Sequence, residues 1–224
     1  SLIDSISPDK ELRRILEHRT QELIEYQNLS YAKEYMSFVG NIFEKEQKTR
    51  SSSELSQNVA KYLFKLMATK DEYEVARLSL KAELDSAINK EFGKSAKISY
   101  MLHPPFLKAM ENIPILNMLP GVKSKLALGS WFKVFYVMLK NMKFLRGTPF
   151  DFMAWFSNDV RKADRKALNH YKSILSNNID EIGNGKYQDL KEFSILPDII
   201  RGYEEVRLET MDEFYLKSNN LFKS

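Results

Sequence analysis

Apolar residues recur every three or four positions along most of this chain, the spacing that places them on one face of an α-helix. The first series extends from Leu12 to Phe43 and predicts one long helix, or two helices with a break near Asn28. Ser7-Pro8-Asp9 predicts a helix start, because a hydroxyl can cap the first turn and proline suits its first position. Later helices are predicted near Glu54 and at Leu84–Phe92, Trp131–Leu145, Ser157–Leu175, Tyr187–Phe193 and Gly202–Leu221. The pattern therefore predicts a mainly α-helical fold, a single domain of long helices over residues 1–224.

Three segments depart from the helical pattern. Lys97–Leu102 alternates in part and contains β-branched and aromatic residues, so at most one short strand or hairpin is predicted near 97–102. Residues 103–129 hold four of the seven prolines and are predicted to be irregular. The charged, serine-containing segment 44–53 is the best candidate for a linker and weak domain boundary, and Ser51–Glu54 is expected to form a polar loop and helix cap.

The most informative stretch is Tyr62–Leu78, where the apolar face of a helix would become charged if the helix continued. Buried charges are costly unless they are paired. We therefore expect a half-buried polar cluster here, approached by Arg146 or Arg201. His103 is added because it precedes Pro104-Pro105 at the end of the predicted strand. The candidate site residues are Lys65, Lys70, Asp71, Glu74, Arg77, His103, Arg146 and Arg201.

Two interpretations of the cations remain open. An anion-binding site would use the ability of arginine to bind a carboxylate or phosphate through two N–H groups. An internal ion network would instead pair them with Asp71, Glu74, Asp151 and Asp198. Further cations considered for either role are Arg161 and Arg165.

Several classes of chemistry are disfavoured by composition. The chain contains no cysteine, so it can form no disulfide and supplies no thiolate to an iron–sulfur cluster. The three histidines, His18, His103 and His170, are scattered without metal-ligand spacing and are expected to be surface or hydrogen-bonded residues. No phosphate-binding glycine loop or nucleophile elbow is present. We therefore expect no catalytic residue, metal site or cofactor in this chain.

Charge and hydropathy limit the classes of partner that we expect this chain to bind. The 34 Lys and Arg are mixed with 30 Asp and Glu, giving a net charge of +4, which favours a solvated mixed surface over a nucleic-acid interface. No apolar run reaches the roughly 18 residues needed to span a membrane. The cytoplasm is the expected location, and the opening SLIDSISPDK suggests a segment of a longer chain.

Five ordered motifs resemble one protein family. Lys65–Leu78, KLMATKDEYEVARL, is similar to the segment KLMAYKDEYEVARL of the indolepyruvate ferredoxin oxidoreductases, with Thr69 replacing the aromatic residue. Arg19–Tyr35, Ile98–Pro105 and Leu145–Asp151 (LRGTPFD) also resemble family landmarks. Leu196–Val206, LPDIIRGYEEV, resembles the family's LPxxIRGFGHV. The chain departs from the family where Glu204-Glu205 replace Gly-His and in 106–128, which is unlike the family's basic loop.

The resemblance implies a part of a larger enzyme. Such enzymes use thiamine diphosphate, magnesium and iron–sulfur clusters to oxidise aryl 2-oxoacids, and coenzyme A accepts the acyl group. Those groups belong to other domains, and this chain resembles the C-terminal helical domain. The implied role is non-catalytic packing against other domains, with a homodimer as one arrangement. The alternatives are an anion-binding module for coenzyme A phosphates or the substrate carboxylate, and a stand-alone regulatory or RNA-binding helical protein.

Overall fold

The computed structural model describes residues 9–93, 100–102, 126–128, 132–155 and 158–222. Within these ranges the chain forms nine α-helices, four short 3-10 segments and one antiparallel sheet of two strands. This composition confirms the prediction of a mainly α-helical fold. The helices are α1 (Lys10–Tyr26), α2 (Leu29–Thr49), α3 (Glu54–Met67), α4 (Glu72–Ser79), α5 (Ala82–Phe92), α6 (Phe132–Asn141), α7 (Asn158–Asn178), α8 (Tyr187–Ile195) and α9 (Glu204–Leu221). The strands are β1 (Tyr100–Leu102) and β2 (Leu126–Leu128).

The chain divides into two compact units. The terminal unit comprises Ser1–Thr69 with Asp159–Ser224, and the central unit comprises Lys70–Asn158. The candidate linker at 44–53 lies inside the terminal unit, where α2 continues to Thr49. In the first half of the chain, the terminal unit ends at Thr69 and the central unit begins at Lys70.

The terminal unit has a core built from the apolar faces of its helices. In α1, Leu12, Leu16 and Leu23 are fully buried, as their helical spacing predicts. Helices α1, α2 and α3 pack on one another, and α3 also packs on α8. The break near Asn28 is present, because the Asn28 side chain accepts a hydrogen bond of 2.9 Å from the Tyr31 N–H and caps α2. The fused alternative of one long helix is therefore excluded.

The start of α1 uses a carboxylate as its cap. Asp9 accepts hydrogen bonds from the backbone N–H groups of Glu11 (2.8 Å) and Leu12 (3.3 Å). A side-chain oxygen at this position satisfies donors that have no partner within the helix. Ser7, the hydroxyl expected to cap this helix, lies outside the described residues.

The helix expected to continue through Tyr62–Leu78 is interrupted. Helix α3 ends at Met67, and α4 begins at Glu72 with Asp71 as its cap. The Asp71 carboxylate accepts a hydrogen bond of 2.9 Å from the Glu74 N–H, which stabilises a new helix start. Continuation of one helix through this stretch is therefore wrong. An N-cap needs an extended backbone, and Asp71 has φ −89° and ψ 179°.

The central unit has a small core of its own. Helix α4 packs on α6, and the buried side chains there are Tyr73, Ala76, Tyr136, Leu139 and Met153. As predicted, α5 ends before Gly93, whose φ of +81° lies in the region that favours glycine.

The two-stranded sheet of the central unit pairs segments that are distant in the sequence. Strands β1 and β2 are antiparallel, with Met101 opposite Ala127. The strand predicted near 97–102 is present at β1, whereas residues 97–99 and 103–125 lie outside the described residues. Strand β2 corrects the prediction that 126–128 is irregular, because pairing with β1 imposes an extended backbone there. None of the described helices combines the length and apolar composition needed to cross a membrane.

Candidate functional site

Asp71 and Arg146 form a bidentate ion pair in the central unit. The Nε and Nη2 atoms of Arg146 donate to the two carboxylate oxygens of Asp71, and the Nη2–Oδ1 distance is 2.8 Å. Both side chains are largely buried, at 13% and 7% exposure. The Arg146 guanidinium also lies 5.5 Å from the centre of the Tyr73 ring. The carboxylate that caps α4 thus serves as the counterion of Arg146 as well.

Asp151 links the turn that follows Arg146 to helix α4. Its carboxylate accepts hydrogen bonds from the Tyr73 hydroxyl (2.9 Å) and from the backbone N–H groups of Gly147 (3.0 Å) and Ala154 (3.3 Å). Asp151 is 2% exposed. Three donors satisfy a buried carboxylate that would otherwise be costly. The turn at 147–151 is therefore held to α4 through Tyr73.

Glu74 and Arg77 form a second buried ion pair within α4. The Arg77 Nε and Nη2 atoms donate to the Glu74 carboxylate at 2.8 Å each, and the side chains are 6% and 8% exposed. Residues three apart lie on the same face of a helix, which explains the geometry. We call Asp71, Tyr73, Glu74, Arg77, Arg146 and Asp151 the paired cluster.

Lys65 and Arg201 lie in the terminal unit and share Asp198 as their partner. Lys65 Nζ lies 3.0 Å from the Asp198 carbonyl oxygen and 3.4 Å from its carboxylate. Arg201 donates to the same carbonyl at 2.9 Å and to the carboxylate at 2.7 Å. The hydrogen bond from Arg201 lowers the pKa of Asp198, whereas burial lowers the pKa of Lys65. Both cations are therefore bound to an acid of their own unit.

Two remaining candidate residues are not placed in a cluster. Lys70 is exposed, so the half-buried position predicted for it is wrong. It precedes Asp71, whose extended backbone separates α3 from α4. His103 lies outside the described residues.

Sequence reasoning missed a buried carboxylate at Glu46. This residue is fully buried and accepts hydrogen bonds from the N–H groups of Leu55 (3.0 Å) and Ser56 (2.9 Å) and from the Tyr187 hydroxyl (2.8 Å). Within the segment Ser51–Glu54 expected to form a helix cap, Ser53 makes no cap hydrogen bond, whereas the Ser52 hydroxyl accepts one of 3.3 Å from the Glu54 N–H. Glu46 serves as the cap from α2 instead. Its position among Ile42, Phe43 and Val39 on the apolar face was the available signal.

A groove with a basic lining lies between α7 and α9 in the terminal unit. Lys162, Arg165, Lys166 and His170 come from α7, and Tyr215 and Asn219 come from α9. The Lys166 Nζ lies 5.2 Å from the centre of the Tyr215 ring. We call these six residues the α7–α9 groove. Of the residues in this groove, Arg165 is the one that the sequence suggests as an anion ligand.

His170 is a hydrogen-bonded histidine at the inner side of this groove. Its Nε2 lies 2.8 Å from the Ser218 hydroxyl, and its ring contacts Phe214 and Tyr215 edge to face. Burial, and secondarily the charge of Lys166, lowers the pKa of His170 below its usual 6.5. His18, in contrast, is exposed. Both positions agree with the expectation for these two histidines.

Acidification should therefore destabilise the protein through His170. The unfolded state binds a proton at its ordinary pKa while the folded state does not, so stability is lost as the pH falls below about 6.5 towards the lower folded pKa. Urea unfolding at pH 7.5, 6.5 and 5.5 measures this loss. It should be smaller in His170→Gln than in wild type. His18→Gln is the control, and equal pH dependence of all three proteins would contradict the prediction.

Metal ligation finds no support in the described ranges, where no group of three or more His, Asp and Glu is arranged to hold an ion. The chain also has no cysteine to contribute. The chemistry of the described side chains is therefore that of paired charges, capped helices and one basic groove.

Comparison with known proteins gives a family but no function. The model of a family described as a family of unknown function, DUF6537, matches residues 12–219. No curated protein and no solved structure matches the chain. Since the match covers both units and the residues of the paired cluster, the chain belongs to the DUF6537 family.

Proposed function

We propose that this chain is a non-catalytic domain of an enzyme similar to the indolepyruvate ferredoxin oxidoreductases, where it packs against the other domains. The parent enzyme would convert aryl 2-oxoacids to acyl-coenzyme A. Its thiamine diphosphate, magnesium and iron–sulfur clusters would be bound elsewhere. The observation that carries the proposal is the contact between two stretches that resemble the family, Lys65–Leu78 and Leu145–Asp151. They bond through Asp71 with Arg146 and through Tyr73 with Asp151.

The chemistry of the paired cluster favours a structural role over ligand binding. Arg146 directs two N–H groups to Asp71, and Arg77 directs two to Glu74. A coenzyme A phosphate or a substrate carboxylate would have to displace a buried carboxylate from either arginine. Loss of one partner of a buried ion pair strongly destabilises the folded protein, because the other charge remains buried without compensation. This cost disfavours anion binding by the paired cluster. It supports a structural role in which the cluster holds the turn at 147–151 against α4.

Exposed apolar side chains beside the cluster provide a surface for the proposed packing. Phe144 and Phe150 flank Arg146 and Asp151 in sequence and are 67% and 75% exposed. Val134 on α6 is 76% exposed. Exposed aromatic residues of this kind are typical of interfaces. We propose that they contact the catalytic domains of the parent enzyme, rather than a second copy of this chain.

The test is complementation of a truncated parent enzyme. The parent lacking this domain is assayed for coenzyme A-dependent oxidation of an aryl pyruvate, with and without this chain added. We expect truncation to abolish the activity and added chain to restore it. Phe150→Ser should weaken restoration and association with the catalytic portion, whereas Leu216→Ser, a 62% exposed residue of the terminal unit, should not.

Two outcomes would reject this function. One is full activity of the truncated parent without the chain. The other is restoration in which Arg146→Ala raises the KM for coenzyme A while the folded state remains intact, because that result would make Arg146 a ligand residue. Under the structural proposal, Arg146→Ala lowers the stability of the central unit and leaves the KM unchanged.

A further inference from the structure

We propose that the α7–α9 groove binds a small ligand carrying two or more adjacent phosphates, such as a nucleoside diphosphate. This site lies in the terminal unit and shares no residue with the paired cluster. Lys162, Arg165 and Lys166 supply three positive charges along one stretch of α7. Tyr215 and Asn219 form the wall contributed by α9. The inference is independent of the function proposed above.

The cations of the groove differ in their partners from four of the candidate cations described above. Lys65, Arg77, Arg146 and Arg201 each contact a carboxylate. No ion pair joins Lys162, Arg165 or Lys166 to an acid in the described part of the chain, and Lys162 and Arg165 are exposed. Their charge is therefore available to a ligand.

Acidic residues near the groove do not cancel this charge. Burial raises the pKa of Tyr215, and the negative charges of Asp212 and Asp164 raise it further. Both carboxylates therefore lie in the neighbourhood of Tyr215. Asp164 is already bonded to Arg207, whose Nη2 lies 2.7 Å from its carboxylate. Three cations line the groove, against Asp212 and, one turn before Lys162 on α7, Asp159, which form no ion pair within the described residues. This excess of positive charge favours an anion with more than one negative charge.

The spacing of the cations suits adjacent phosphates. Lys162 and Lys166 are four residues apart on α7, a rise of about 6 Å along the helix, and Arg165 lies on the same side between them. Arginine can bind one phosphate through two N–H groups, and the lysines act as point charges on either side. A single phosphate would meet only part of this set. A diphosphate can contact all three cations.

Tyr215 adds an unsatisfied donor at the same place. Its hydroxyl oxygen is buried and has no hydrogen-bond partner among the residues that the structure describes. An unpaired buried polar group is costly, and a ligand oxygen that reached it would remove that cost. Lys166 Nζ lies 5.2 Å from the centre of the Tyr215 ring, so a phosphate bound by Lys166 would lie beside this residue. The positive charge of the three cations, their spacing on α7 and the unpaired Tyr215 hydroxyl therefore all support a ligand in the α7–α9 groove.

Isothermal titration of the full chain with inorganic pyrophosphate tests the proposal. We expect binding that weakens as sodium chloride is raised, and affinity about tenfold or more above that for orthophosphate. Lys162→Gln/Lys166→Gln should reduce pyrophosphate affinity by about tenfold or more. Lys10→Gln/Lys33→Gln removes the same charge from exposed positions on α1 and α2 and should leave affinity unchanged.

Further measurements keep the result decisive. Thermal unfolding establishes that each variant is folded, and Arg165→Glu changes an exposed residue whose loss should not affect folding. Failure of pyrophosphate to bind overturns the proposal, as does equal binding by groove and control variants. Tight binding of an RNA oligonucleotide without pyrophosphate binding would also overturn it, in favour of a nucleic-acid surface.

Discussion

Replacing Glu46 with alanine is expected to lower the free energy of unfolding by about 3 kcal/mol or more. The substitution removes the acceptor of two backbone N–H groups, at Leu55 and Ser56, and of the hydroxyls of Ser56 and Tyr187. Each buried donor left without a partner costs about 1–3 kcal/mol. The carboxylate also lies at the start of α3, where the helix dipole favours a negative charge.

The structure allows no replacement for this cap. Leu55 and Ser56 are the second and third residues of α3, so their N–H groups have no partner within the helix. Ser53 makes no cap hydrogen bond and instead donates to the Asp9 carboxylate. Water cannot readily serve, because Leu55 and Ser56 are fully buried. The loss of Glu46 therefore affects the junction of α2, α3 and α8 at once.

Urea unfolding and hydrogen exchange measure the effect. Glu46→Ala should raise amide exchange in the first turn of α3, and Glu46→Gln should have a smaller effect because one oxygen acceptor remains. Glu44→Ala is the matched control, since Glu44 is 64% exposed and pairs with Lys48 on the same helix. That change should cost about 0.5 kcal/mol or less. Equal losses for Glu44→Ala and Glu46→Ala would show that the buried cap is unimportant.

Replacing Asp151 with alanine is expected to cost about 2–4 kcal/mol in the central unit. The Tyr73 hydroxyl, itself buried, loses its acceptor, and the N–H groups of Gly147 and Ala154 lose theirs. The turn that carries Arg146 would then be held less firmly. Local unfolding around 146–154 should precede unfolding of the rest of the chain.

A double-mutant cycle separates this hydrogen bond from other effects. Asp151→Ala and Tyr73→Phe each break the Tyr73–Asp151 contact, and the combined variant should cost less than the sum of the two. Tyr73→Phe retains the ring that lies beside Arg146. Hydrogen exchange of α4 and the 146–154 segment measures the change, with Glu91→Ala, an exposed carboxylate of α5, as control. Strict additivity would mean that the hydroxyl and carboxylate are not energetically coupled.

Local signals were sufficient for most of the helices. Apolar spacing predicted the buried residues Leu12, Leu16 and Leu23, because burying one face of a helix leaves a period of about 3.6 residues in the sequence. Asn28 and Gly93 marked helix ends for equally local reasons, a side-chain cap and a backbone with positive φ. These features depend on residues within one turn of each other.

The interruption between α3 and α4 shows where periodicity is insufficient. Charged positions continue the face of α3 beyond Met67, so the pattern alone does not distinguish one helix from two. Asp71 decides the matter by capping α4, and Arg146, 75 residues away, holds that cap. A cap signal is weak when it lies inside an otherwise periodic stretch.

The sequence by itself determined the helical fold class, most helix ends and the need of the Tyr62–Leu78 charges for partners. Only the tertiary structure decided that Arg146 pairs with Asp71 and that Asp198 pairs with Lys65. The tertiary structure also decided that Glu46, outside this stretch, binds the start of α3. The physical reason is the range of the interactions. Helix formation depends on neighbours three or four residues apart. Ion pairs and caps between helices join residues of any sequence separation, and only the folded chain sets those distances.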